Sequence, residues 1–415
     1  MSNAPRKPLD PSLITRLAEA HGTPYYLYDA STFRERVAAL RDFDVVRFAQ
    51  KACSNIHILK ILRDEGCVVD AVSLGEIERA LRAGFDTAGD HPGIVFTADI
   101  ADEATFARCI ELDVPVNAGS PDMLAQLGQR NPGHRVWLRV NPGFGHGHSR
   151  KTNTGGEWSK HGIWHAHLGE AMCQIEKYDL DLMGLHMHIG SGADFDHLRQ
   201  VCDAMVNQVR ALDVDVRAIS GGGGLPIPYR VDEGRFDTAS LYRYWDDARK
   251  EVESIVGHSV SLEIEPGRFL AAESGMLIAR VRAKKLMADN RFILVDAGFD
   301  NLVRPAMYGS FHEISIVSSD GQVRGGATEP TVVAGPLCES GDVFTQEEGG
   351  VVVPRDLPDC EVGDLVVLHD AGAYASSMAS NYNSRPLAPE ILLDGEPRLI
   401  RRRQRVEELL ALEEV

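Results

Sequence analysis

From about residue 30 to residue 290 the chain alternates between short apolar runs and longer stretches whose apolar residues recur at three- and four-residue spacing. Short apolar runs bounded by turn residues predict buried strands, and the amphipathic stretches predict helices, so the alternation predicts β/α units with parallel strands. The runs are VVRFA (45–49), CVVDA (67–71), GIVFT (93–97), VPVNA (114–118), VWLRVN (136–141), LMGLHMHI (182–189), VRAIS (216–220) and VSLEIE (260–265). Helical stretches such as NIHILKILRDEG, GEIERALRAG and DHLRQVCDAMVNQVRAL lie between them. Eight such units predict a closed (β/α)8 barrel of the TIM type, an α/β domain spanning residues 31–285. After Arg280 the texture changes to RFILVDAG, TVVAGP, VVVPRD, DLVVLHD and EILLDG, punctuated by Gly, Pro and Asp. This predicts a second, mostly antiparallel β domain over 286–415, and TPYYLYD (23–29), within residues 1–30, predicts one more of its strands from the other end of the chain.

A barrel of this kind gathers its catalytic groups just past the C-terminal ends of its strands. Polar residues stand at those points. Lys51 follows the first run, Asp70 and Ser73 end the second, Asn117 the fourth, Asn141 the fifth, and His188 and Ser191 the sixth. GGGG (221–224) follows the seventh run, and Glu265-Pro-Gly-Arg268 the eighth. Lys51 alone fits a rim lysine that extends its ammonium to water. At a barrel mouth it also fits the lysine that forms Schiff bases with carbonyls, the aldehyde of pyridoxal phosphate (PLP) included. Glycine runs serve as tight turns, but at a seventh strand end their backbone N–H groups are placed for phosphate. GGGGLPIPY matches neither the dinucleotide nor the Walker pattern. Glu265 facing a pyridine nitrogen would keep it protonated and make the ring an electron sink. An ion pair with Arg268 is the plain alternative.

HMHIGS places His186 and His188 at i and i+2, on one strand face, and HGH recurs at 146–148. A metal-dependent hydrolase therefore stays open at this point, although no further ligand set is evident and a lysine is present. We expect no metal, with His188 stacked on a cofactor ring and Ser191 near its phosphate. In the β domain, Cys338 beside Glu339 is a buried structural cysteine or an acid and carboxylate pair, and Arg304, Tyr308 and Tyr374 suit a substrate carrying a remote carboxylate and ammonium.

The net charge of −18 opposes binding to nucleic acid or anionic membrane. RRRQR (401–405) is a local exception that reads as a solvated helix start or edge. No apolar run reaches the length of a membrane span, the first ten residues hold no apolar signal core, and the 7 cysteines follow no zinc or C-x-x-C spacing. A cytoplasmic protein with free thiols is expected.

FAQKACSN, DAVSLGE, VNPGFGHGH, HMHIGSG, GGGG, EIEPGRF, RPAMYGS, GPLCESGDVF and NYNSRP together resemble the diaminopimelate decarboxylase family, PLP enzymes of the alanine-racemase-like fold. The likeness runs from about residue 23 to the C-terminus and rests on the order and spacing of many motifs. It implies a homodimer with two sites at the interface and decarboxylation of meso-2,6-diaminopimelate to L-lysine and CO2, the last step of lysine biosynthesis by that route. Carried over residue by residue, it implies that Lys51 holds the cofactor aldehyde, His188 stacks on the ring and Glu265 pairs with its nitrogen. Ser191, Gly222, Gly223, Gly224, Gly267, Arg268 and Tyr374 would hold the phosphate. Arg268, Arg304 and Tyr308 would grip the distal carboxylate, with Tyr374 also lining the substrate site, while Glu339 contacts the distal amine and Cys338 donates the proton, both from the neighbouring subunit. Ala375 departs from the glycine frequent there in the family. A decarboxylase of ornithine, arginine or carboxynorspermidine with the same fold is the nearest alternative, and a non-catalytic PLP-binding regulator the next. Arg304 together with Glu339 argues against the first, and retention of Lys51, Glu265 and Cys338 against the second.

Overall fold

A computed structural model describes residues 10–89, 91–145, 154–188, 190 and 195–414. The short apolar runs form strands: Tyr25–Asp29 (β1), Val45–Ala49 (β2), Val68–Ala71 (β3), Ile94–Ala98 (β4), Val116–Ala118 (β5), Arg135–Asn141 (β6), Ile163–Trp164 (β7), Asp181–Met187 (β8), Ala218–Ser220 (β9) and Ser261–Ile264 (β10). Eight of them pair in parallel in the order β5, β4, β3, β2, β10, β9, β8, β6, and β5 also pairs with β6, which closes the ring. The short β7 pairs with β6 outside that ring, and β1 belongs elsewhere. The barrel unit comprises Arg34–Pro226 and Phe236–Leu270.

The strands are apolar along their length because both faces are covered, the interior by side chains and the exterior by helices. All five residues of β2 are buried, Arg47 among them. Its guanidinium meets the Glu263 carboxylate on β10, Nη2 to Oε2 at 2.8 Å and Nε to Oε2 at 3.1 Å, and donates to the Pro92 carbonyl at 3.3 Å. Neither side chain is more than 3% exposed, so each charge depends on the other to offset its desolvation. The helices are stopped and started by local chemistry. Asn55, Ser73, Asp102, Ser120 and Asp237 each accept a backbone N–H at the N-terminus of the following helix, caps that contribute about 1 kcal/mol apiece. Gly84 ends the helix Leu74–Ala83 at φ 91°, a left-handed position that glycine takes without strain. Among the described residues no helix is long and apolar enough to cross a membrane.

The second unit comprises the chain up to Phe33, Ile227–Arg235 and the chain from Ala271. Its strands are β1 with Gly275–Met287 (β11), Asn290–Val295 (β12), Ile314–Val317 (β13), Thr328–Ala334 (β14), Gln346–Glu347 (β15), Val351–Val352 (β16), Arg355–Pro358 (β17), Leu365–Leu368 (β18), Glu390–Asp394 (β19) and Glu396–Arg401 (β20). The main sheet runs β17, β14, β12, β11, β1, β19, β20, with β18 joining β11 to β13 and a small β15–β16 hairpin apart. Six of its eight pairings are antiparallel, and β12–β14 and β1–β19 are parallel. TPYYLYD therefore lies inside the sheet, between β11 and β19. Tyr25, Tyr26 and Tyr28 are fully buried there, and each hydroxyl has a partner: the Ile14 carbonyl at 2.8 Å, the Asn301 carbonyl at 2.6 Å and Ser376 Oγ at 2.8 Å. The helix Pro11–His21 packs Leu13, Ile14 and Leu17 against the face that carries Tyr25 and Leu27. The arginine run is consumed locally: Arg401 pairs with Glu390 at 2.8 Å, Arg402 with Glu408, and Arg403 donates to the Pro24 carbonyl at 2.8 Å.

Arg47→Met, which leaves the buried Glu263 carboxylate with only the His91 ring, Nδ1 to Oε1 at 4.0 Å, is expected to cost about 3–5 kcal/mol. A lowered urea midpoint would register it, and the double replacement Arg47→Met/Glu263→Leu should recover most of the loss. Equal midpoints for Arg47→Met and the unaltered protein would remove the pair from the stability of the barrel.

Candidate active site

The C-terminal ends of the barrel strands bring several sequence-predicted groups together. Lys51 lies in the turn of 3-10 helix Gln50–Ala52 directly after β2, with its side chain exposed. Glu265 follows β10 and is buried. Its Oε2 accepts from His186 Nε2 at 2.7 Å and its Oε1 from the Ser220 hydroxyl at 3.3 Å. Burial alone would raise the Glu265 pKa, but His186 and Arg47 outweigh it and hold the carboxyl below the usual glutamate range. Asp70, at the end of β3, is pushed the other way by burial and by the Glu265 charge, against the pull of Lys51. Two neighbouring carboxyls are thus driven apart, one held ionised and one inclined to keep its proton.

His188 follows β8 and accepts the Gly223 N–H at Nδ1, 3.0 Å away. Burial and the charges of Arg139 and Lys51 push its pKa well below the ordinary histidine value. The ring is therefore neutral with its proton on Nε2, a flat face carrying no charge. The glycine run packs tightly beneath it. A Cβ on Gly222 would lie 2.5 Å from the Met187 carbonyl oxygen, and one on Gly223 2.3 Å from that of Glu265, so both positions require glycine. Gly222 and Gly224 also take φ of 63° and 95°. Gly267 is buried beside Arg268, which is half-buried at the start of Arg268–Ala271. Asn117 and Asp70 each keep a buried oxygen, Oδ1, without a hydrogen-bond partner among the described residues. Ser191, His146 and His148 lie outside the described residues.

These donors fit pyridoxal phosphate. A lysine amine, an ionised carboxylate and a neutral imidazole face are the contacts its aldehyde, ring nitrogen and ring need, and the side-chain-free glycine run at the seventh strand end gives its phosphate close approach to the backbone.

The second unit holds two further groups. Arg304 and Tyr308 stand four residues apart in the short helix Arg304–Tyr308, hence on one face. Arg304 is 4% exposed, and among the described residues its guanidinium has no carboxylate partner. Instead Nη1 donates to His312 Nε2 at 3.1 Å, while His312 Nδ1 donates to the His369 carbonyl at 2.8 Å. Its face lies over the Tyr229 ring, 5.0 Å from the centroid. Beside this, Arg230 and Arg355 lie 4.0 and 3.7 Å from the Phe311 centroid, too close to share a face, so they bracket the ring. Positive charge is concentrated here in a strongly acidic protein. Cys338 and Glu339 form the second group, exposed on the loop 335–342. That loop wraps the buried Asp342, whose carboxylate accepts Leu337 N at 2.8 Å and Phe299 N at 2.7 Å. Tyr374 is half-buried at φ 57°, an unusual conformation for a tyrosine, and the Ala375 that follows is buried.

Sequence reasoning weighed His186 only as a metal ligand beside His188, and passed over Tyr229, His312, Tyr382 and Asn383. His186 was within reach of it, because HMH puts both rings on one strand face. For the others no local signal exists, since each matters through a partner remote in sequence.

Fold and site together define a pyridoxal-dependent decarboxylase built on a barrel and a β domain. Residues 31–272 match the pyridoxal-dependent decarboxylase family over its pyridoxal binding domain. The chain is 60% identical over 412 residues to the diaminopimelate decarboxylase of Streptomyces coelicolor, covering 99% of this chain and 94% of that one. A crystal structure of a diaminopimelate decarboxylase superposes with a TM-score of 0.95 at 60% identity, covering 97% of this chain and 96% of that one. The Helicobacter pylori enzyme complexed with L-lysine gives 0.85 at 30% identity, covering 97% and 99%. The chain belongs to the diaminopimelate decarboxylase family.

His186→Leu removes the hydrogen bond that opposes protonation of Glu265. The Glu265 pKa then rises toward its ordinary value, so the acid limb of the kcat/KM profile should move up by about one pH unit. An acid limb that stays in place would dissociate Glu265 from the activity.

Proposed function

We propose that the chain decarboxylates meso-2,6-diaminopimelate at its D-configured carbon, releasing L-lysine and CO2, as a cytoplasmic homodimer with pyridoxal phosphate as cofactor. The observation that carries the substrate assignment is Arg304, a buried guanidinium held by neutral partners alone among the described residues and so left with a charge for a substrate carboxylate. An ornithine- or arginine-type substrate has no carboxylate at its far end and would leave that charge unmet. The 7 cysteines are thiols rather than disulfides, which supports a reducing compartment.

In this reading Lys51 binds the cofactor through Nζ, His188 packs on its ring, and Glu265 receives the pyridine N–H. Gly222, Gly223, Gly224, Gly267, Arg268, Tyr374 and Ser191 hold its phosphate. Bound there, pyridoxal phosphate supplies the electron sink for the carbon that loses CO2. The remaining work belongs to the side chains. Arg304 and Tyr308, with Arg268, fix the distal carboxylate, and Glu339 fixes the distal ammonium, so only the opposite carboxylate is free to leave. Glu265, ionised well into the acid range, keeps its partner nitrogen protonated. Cys338 then delivers its thiol proton to the carbon that lost CO2, and its exposure lets solvent restore that proton. Cys338 and Glu339 serve the neighbouring subunit's site, a role to which their position on the outside of their own unit lends support.

CO2 release measured with meso-diaminopimelate, L-ornithine and L-arginine should favour the first by about a hundredfold or more in kcat/KM; preference for either of the others would overturn the substrate. Borohydride treatment of the holoenzyme should leave the cofactor label on the Lys51 peptide and none on Lys51→Ala protein. Mixing Lys51→Ala with Cys338→Ala chains should restore part of the activity, and verified mixed dimers without activity would exclude the shared site.

A further inference from the structure

The segment Asn381-Tyr-Asn-Ser-Arg-Pro386 has no task in the reaction as derived, yet it is tied directly to the Cys338–Glu339 loop. Tyr382 Oη donates to Glu339 Oε1 at 2.5 Å. Asn383 Oδ1 accepts the Cys338 backbone N–H at 3.1 Å. Both members of the pair are therefore gripped by consecutive residues of one segment. We propose that Tyr382 and Asn383 are positioning residues, Tyr382 aiming the Glu339 carboxylate at the substrate ammonium and Asn383 fixing the backbone from which the Cys338 thiol projects. This rests on the roles assigned to Cys338 and Glu339 above.

The surroundings are built to hold that grip. Asn383 and Ser384 take φ of 53° and 55°, left-handed positions that asparagine visits more readily than serine. Two such residues in succession persist only where the flanks fix them. Here Asn381 Nδ2 bonds the Arg385 carbonyl at 2.8 Å and Gln404 Oε1 at 2.7 Å, while Arg385 bonds Asp300 Oδ2 at 3.2 Å and the Asp296 carbonyl at 2.7 Å. The Tyr382 ring leans on Phe299, centroids 5.4 Å apart, and Phe299 N donates to Asp342 at the root of the loop. The loop is thus fixed from within by Asp342 and from without by the tyrosine and asparagine. Chemistry agrees with geometry. The hydrogen bond to Glu339 raises the Tyr382 pKa, so the hydroxyl remains a donor through the neutral range. With Oε1 engaged, Oε2 has no partner among the described residues and is the oxygen available to an ammonium. An exposed glutamate without such a partner samples several rotamers, and each bound substrate would have to select one.

A double-mutant cycle on the holoenzyme tests the tyrosine. Tyr382→Phe should raise KM for meso-diaminopimelate about tenfold with kcat within about twofold, and should add nothing in a Glu339→Ala background. For the asparagine, Asn383→Gly keeps the left-handed backbone and loses the acceptor; it should lower kcat several-fold, with Asn383→Asp restoring it. Cofactor loading and thermal midpoint should remain unchanged throughout, which a merely structural role would not allow. Equal effects of Tyr382→Phe in both backgrounds, or an unaltered kcat for Asn383→Gly, would overturn the positioning role. A strong Glu339→Ala effect beside an inert Tyr382→Phe would sink it while sparing the reading of Glu339. An inert Glu339→Ala would remove both together.

Discussion

Every polar function in the barrel depends on one constraint: a charge inside it must have a partner across the strands. The two-residue period of an extended chain places Glu263 and Glu265 on the same side, one turn of the pleat apart. Arg47 satisfies the deeper carboxylate and His186 the outer one. The outer pair differs because histidine can orient a carboxylate by donating a hydrogen bond without carrying the permanent charge that arginine brings. Glu265 is thereby ionised and directed, yet retains capacity to interact with a group at the barrel mouth. The Arg47 charge below contributes to the same end, since it also favours ionised Glu265. Stability of the interior and readiness of the site are consequences of one ladder of charges.

The second unit applies the same physics with the sign reversed. Arg304 is buried among groups that orient it without neutralising it: a histidine lone pair in the guanidinium plane and a tyrosine face above it. The His369 carbonyl fixes the tautomer of His312, so the ring presents a lone pair to the arginine. A carboxylate at that position would hold Arg304 more tightly and spend its charge. Neutral acceptors keep it available, and the Arg230–Phe311–Arg355 stack adds to the local positive field.

The barrel was legible because its evidence is local. Each strand of the ring announces itself as an apolar run, five of the barrel helices carry a side-chain cap of their own, and strand ends locate the site without any knowledge of contacts. Lys51, Glu265, the glycine run and His188 could be named for that reason. Ring closure through β5 and β6 was inferred from a count, and the pairing register supplies the reason the count works. What escaped were residues whose meaning lies in a distant partner. His186 meets Glu265 across 79 positions of sequence, and Asn383 meets Cys338 across 45. Nothing in a tyrosine or asparagine of an irregular segment distinguishes a brace from a surface residue until the fold brings the partner to it. The Pro11–His21 helix escaped too, because its apolar face looks onto a sheet whose strands come mostly from the far end of the chain.

Tyr25–Asp29 lies inside the β sheet, although its neighbours β11 and β19 are encoded far downstream. During synthesis the ribosome must add about 250 residues after β1 before β11 exists to pair with it. At roughly 5–20 residues per second that is a wait of about 10–50 s. Through that interval three tyrosines and a leucine destined for full burial have no sheet to enter, while the barrel sequence emerges between them and their partners. The order of events on the nascent chain follows: the barrel can close first, and the β unit is completed only when its last strands arrive.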